Sequence, residues 1–136
     1  MTAVYRAPMR SRRDDIDPYA GVERGLREGL CGFGRFDVPE RRVSRFAEAA
    51  DGSFVWTRDG DGLFWLGRLT GPYVYDADGE DVDLVHVRRC RWRDMPIVEN
   101  RCPAAVLATF ARGGRNFQQI HDAAVGVESA RLWEQG

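Results

Sequence analysis

The sequence predicts an α+β domain: a small, curled antiparallel β-barrel flanked by short helices, with residues 1–136 forming one unit. Three observations predict it. Residues 52–92 hold several strand-like runs separated by glycine-rich turns, the pattern of a sheet that curls on itself. The flanking segments carry helix-start signals, Asp17-Pro18 and Pro103. A chain of 136 residues suits one hydrophobic core.

Taken in order, a first strand is expected near Ala3 to Arg10, held to a sheet edge by Pro8. Asp17-Pro18 opens a helix to about Glu28 that buries Tyr19, Val22 and Leu26, and Gly29 ends it. In Leu30-Cys31-Gly32-Phe33-Gly34-Arg35-Phe36 two glycines flank an aromatic ring, which allows close approach of a neighbour or a ligand. A second helix starts near Asp37 or Val38 and places Val43, Phe46 and Ala47 on one face.

The middle of the chain is richest in signal. Gly52 to Thr57 is a strand by its aromatic and β-branched content. Two Asp-Gly pairs, Asp59-Gly60 and Asp61-Gly62, predict a hairpin returning through Leu63 to Leu69. Gly71-Pro72 turns the chain into a short strand at Tyr73-Val74-Tyr75, and Asp78-Gly79 turns it again. Leu84 to Trp92 alternates, with Val85, Val87 and Arg89 on one side and Leu84, His86, Arg88 and Cys90 on the other. A helix opens at Pro103 and runs to Phe110 before Gly113-Gly114 breaks it. Asn116 is then expected to cap a turn through Ile120, and Asp122 a last helix to about Glu134 with Val125, Ser129, Leu132 and Trp133 near one face.

Several chemistries find no support. The three cysteines, Cys31, Cys90 and Cys102, are widely spaced, which argues against a disulfide framework and for a reducing, cytoplasmic setting. No close Cys or His pair suggests zinc. The acids Asp76, Asp78, Glu80, Asp81 and Asp83 lack the order of a calcium loop and read as a solvated hairpin tip. The expectation is therefore a protein without metal or cofactor. No apolar run is long enough for a membrane helix, and no apolar segment follows the basic N-terminal residues as in a secretory signal.

The net charge of −1 means that any nucleic-acid contact must use a local patch. All 20 basic residues are arginine, which suits phosphate and base stacking, although a GC-rich genome explains the same bias. Phe33, Trp56, Trp65, Tyr73 and Tyr75 are candidate stacking surfaces, against the plainer reading that they fill the core. Thr57, Arg58, Asp59 and Arg68 are the candidate polar partners. Gly113-Gly114-Arg115-Asn116 could hold one phosphate through free backbone N–H groups.

The run Gly52-Ser53-Phe54-Val55-Trp56-Thr57-Arg58, followed by Phe64-Trp65-Leu66-Gly67-Arg68-Leu69-Thr70-Gly71-Pro72-Tyr73-Val74-Tyr75, resembles the PUA-like superfamily of EVE, YTH and ASCH domains. It looks most like barrel modules attached to Mrr-type restriction proteins, with His86-Val87-Arg88 and Trp92 completing the pattern over roughly residues 30–92. The resemblance implies a reader of a modified or flipped base in DNA or RNA, within a bacterial or phage defence system. Its implied ligand-binding residues are Phe33, Trp56, Thr57, Arg58, Tyr73, Arg68 and Arg115, with Gly32-Phe33-Gly34 standing where EVE loops usually carry Gly-Trp-Gly. Any cleavage would come from a separately encoded effector protein. On this reading Trp56→Ala weakens oligonucleotide binding without unfolding the domain. Two alternatives stand beside it. A protein-interaction or structural subunit would dock through Leu132 and Trp133. A small enzyme would need Cys31 within reach of His86 or His121.

Overall fold

A computed structural model describes residues 2–35, 38–114 and 116–135. The expected cap at Asp37, Phe36 of the glycine loop and the site residue Arg115 lie outside them. The chain is α+β, with strands β1 (Val4–Arg6), β2 (Leu30–Phe33), β3 (Phe54–Arg58), β4 (Phe64–Leu69), β5 (Val74–Tyr75), β6 (His86–Trp92) and β7 (Gln118–Gln119). The helices are α1 (Ala20–Glu28), α2 (Glu40–Glu48), α3 (Ala104–Arg112) and α4 (Val125–Glu134).

The strands form a curled half-barrel in the order β2-β6-β4-β3-β1-β7, with β5 beside β6. The sheet is mixed rather than antiparallel throughout. β1 runs parallel to β3, pairing Val4 with Phe54 and Arg6 with Trp56, while β7 covers the other side of β1. Pro8 thus follows the strand instead of holding it to an edge. Gln118-Gln119 is likewise an extended strand and not a capped turn, because pairing with Arg6 and Tyr5 supplies its backbone partners.

The β3–β4 hairpin owes its turn to one side chain. Asp59 accepts from the backbone N–H of Asp61 and of Leu63, and its second oxygen accepts from the Trp65 indole at 2.9 Å. At the chain's helix boundaries, Asp17 accepts from Tyr19 N, Gly29 closes α1 in the left-handed region at φ 72°, and Asp122 accepts from Ala124 N and Val125 N before α4.

Helices cover both faces of the sheet. On one face α1 and α2 contribute Val22 and Phe46 to a core with Phe33, Val55, Leu69 and Val87. On the other, α3 and α4 bring Val106, Val125 and Leu132 against Val4, Phe54, Trp56 and Leu66. Burial on both faces explains why β3 is buried from Phe54 through Thr57 and why Val87 and Arg88 are both enclosed, against the alternation expected for a half-exposed sheet. The acidic segment is the connection of the β5–β6 hairpin, with Asp78, Glu80 and Asp81 exposed as expected of a solvated tip. It forms a 3-10 turn over Ala77–Val82, and Asp76 both caps it and pairs with Arg24 at 2.7 Å.

Arg88 is 2% exposed and ties α2 to the sheet. Its Nε donates to Gly71 O at 2.7 Å, Nη1 donates to the carbonyls of Phe46 and Ala49 at the end of α2, and Nη2 pairs with Asp51 at 2.7 Å. Those carbonyls belong to the helix C-terminus, where a cation is favoured. The arginine therefore fixes the position of a helix whose other charges line the site below.

Candidate functional site

The residues expected to form an aromatic pocket do not gather into one. Trp56 is 0% exposed, and its indole N–H donates to Ser129 Oγ of α4 at 3.1 Å. Phe33 is 1% exposed, in ring contact with Phe46 and His86. Thr57 is enclosed too, donating to Pro8 O. These three are corrected from ligand contacts to core residues, since helices cover both sides of the strands that carry them. The glycine loop also serves packing: a Cβ on Gly32 would stand 1.8 Å from His86 O, so only glycine lets β2 lie this close to β6.

The other expected residues separate. Tyr73 is half-buried, with its hydroxyl 2.8 Å from His86 Nδ1 and its ring stacked on that imidazole. Arg58 is exposed and lies over Phe64. Arg68 donates to Gly52 O at 2.9 Å and lies over the rings of Phe54 and Trp133. Leu132 and Trp133, the alternative docking residues, pack against this chain's own core.

The cleft that gathers arginine side chains lies elsewhere. A cleft of about 850 Å³ opens between α2, the β1–β7 edge and the start of β3. Arg41, Arg42 and Arg45 of α2 line it together with Arg68 from β4, while Gln118, Gln119 and His121 line the strand side. Residues 41, 45 and 48 fall on one helical face by their spacing, and Arg88 holds that helix from inside the fold. Tyr5 and Phe117 also line the cleft, stacked at 4.4 Å between centroids and 16° between planes. Its acids are Glu48 and Asp51, and Asp51 is already paired with Arg88. The volume is that of a small-ligand site.

The lining suits binding. Guanidinium groups recognise phosphate oxygens, and side-chain amides can read polar base edges. Of the hydroxyls in the wall, that of Ser53 donates to Ala50 O at 2.6 Å. Elsewhere, burial pushes the Cys31 thiol up to about 12, which keeps it protonated at neutral pH and makes it a poor nucleophile. Among the described residues, no group of three His, Cys, Asp or Glu could hold a metal ion, and no helix is long and apolar enough to cross a membrane.

No protein-family model matches the chain, and no curated protein matches it significantly.

Little in the chain's local patterns announces this cleft. Its arginines sit in an unremarked stretch, Arg41-Arg42 with Arg45 one turn on, and that i, i+4 spacing was the available signal. Gln118 and Gln119 reach the site only through the non-local pairing of β7 with β1.

Proposed function

We propose that this domain is a PUA-like nucleic-acid-binding module that takes a DNA or RNA segment into the cleft between α2 and the β1–β7 edge. The observation that carries the reading is the convergence of Arg41, Arg42, Arg45 and Arg68 on one cavity whose opposite wall is Gln118, Gln119 and His121. A local basic wall answers the objection raised by a net charge of −1. The arginines hold phosphates, and an unstacked base faces the glutamine side chains. A modified base is discriminated there, not between Phe33 and Trp56.

The test is fluorescence anisotropy with labelled single-stranded and duplex DNA and RNA, each with and without modified bases, over a series of salt concentrations. The double variant Arg41→Glu/Arg45→Glu should bind at least about tenfold more weakly, with the salt slope reduced by roughly 1–2. Equal binding by wild type and this variant contradicts the reading, as does a wild type without affinity for any of the four nucleic acids at low salt.

A further inference from the structure

Arg6 is a strand residue with a buried charge, and its surroundings differ in kind from those of other buried polar groups. The residue is 3% exposed, yet its Nε and Nη1 have no hydrogen-bond partner. Its guanidinium carbon lies 5.2 Å from the centre of the Phe110 ring, an attraction that leaves both N–H groups unused. Burial lowers the pKa of Arg6, and the nearby cations Arg112 and Arg12 lower it further.

Arg6 borders a recess of about 310 Å³ that is also lined by Arg10, Arg12 and Arg58. Four cations thus face one small space, and no carboxylate is among the described residues that line it. Arg12 donates to Gly114 O at 3.2 Å, and Arg10 lies over the Tyr19 ring, so both chains are directed by fixed groups of the wall. Gly113 and Gly114 line the recess with φ of 76° and 129°. A Cβ on Gly114 would come within 2.7 Å of Arg6 Nη1, so the glycine leaves space at the unpaired donor. Consecutive strand residues point to opposite faces. Tyr5 lines the α2 cleft and Arg6 the recess, and the two sites are therefore separated by β1 itself.

We propose that this recess is a binding site for a single phosphate-class oxyanion, free or as a phosphate ester, held by Arg6 with Arg10 and Arg58. An anion of this class accepts several N–H bonds at once and neutralises like charges that otherwise repel. It satisfies the two orphan donors of Arg6, whose burial without a partner costs stability. Arginine is suited to the task because its charge survives burial where that of lysine would be lost. The inference does not depend on nucleic acid entering the α2 cleft.

Thermal denaturation of the full chain in sodium phosphate, against sodium chloride of equal ionic strength, tests it. Phosphate should raise Tm by roughly 3–8 °C near saturation. Titration calorimetry with inorganic phosphate should show binding that Arg10→Gln/Arg58→Gln weakens by at least about tenfold, both residues being exposed and removable without opening the core. Arg6→Met should abolish the phosphate-specific shift, whereas Arg41→Glu/Arg45→Glu should retain it, which separates this site from the cleft. Equal Tm values for wild type in the two salts overturn the proposal, as does an undiminished phosphate response in the Arg10→Gln/Arg58→Gln protein. Adenosine 5′-monophosphate and a single-stranded oligonucleotide then identify the source. Displacement of phosphate by the nucleotide alone assigns a free ester, and displacement by both assigns a site open to a nucleic-acid backbone.

Discussion

Arg88 and Arg6 are buried almost equally, at 2% and 3% exposure, and sit in opposite electrostatic surroundings. Arg88 spends its donors on three carbonyls and on Asp51, and every one of these partners belongs to the fold. Arg6 leaves Nε and Nη1 without a partner, with Arg12 and Arg112 as its charged neighbours. Burial is thus the same and bonding is not. A fully bonded buried charge is part of the scaffold, and removing it strands its partners. A half-bonded one costs stability until a ligand arrives. The difference distinguishes a clamp from a receptor site where sequence and exposure alone do not.

Breaking each side of this comparison gives effects of different size. Arg88→Met and Trp56→Ala should cost the most, each about 3–5 kcal/mol in urea denaturation. The first strands the carbonyls of Gly71, Phe46 and Ala49 that share one buried cation, and the second empties a fully enclosed site and removes the tie to Ser129. Loss of less than about 1 kcal/mol there would mean that the Trp56 site is not a packed interior. Smallest, the thiols sharpen the picture of the core: Cys31 and Cys90, both buried, should resist a thiol reagent until the protein unfolds, whereas half-buried Cys102 should react slowly in the native state. Labelling of all three at equal rates in native conditions contradicts the enclosure of Cys31 and Cys90 in the core.

Local chemistry made much of the fold legible. Asp59-Gly60-Asp61-Gly62 marked the hairpin, Gly29 the end of α1, and Asp122 the start of α4, because each acts through bonds to residues a few positions away. What depends on distant partners was not legible. The parallel pairing of β1 with β3 joins residues some fifty positions apart, as in Val4 with Phe54. Gln118-Gln119 became a strand only because β1 was there to pair with it. Trp56 illustrates the same limit at the level of the site. Its strand could be read from composition, yet the face that its ring takes has no exposed option when α4 covers one side and α1 and α2 the other. Arg88 stood in a motif of the resemblance, and its service to α2 is visible only once Phe46 and Ala49 are seen beside it. Arg6 carried no mark at all, since an arginine near a chain end reads as a solvated charge.

The most direct measurement is the stability of Arg6→Met beside that of Arg88→Met, each followed by urea denaturation in chloride and in phosphate of equal ionic strength. Arg6→Met should be at least as stable as wild type in chloride and gain nothing specific from phosphate, while Arg88→Met should be weakened in both salts and still respond to phosphate. If Arg6→Met instead loses as much stability in chloride as Arg88→Met does, then Arg6 is a bonded part of the scaffold and not a charge awaiting an anion.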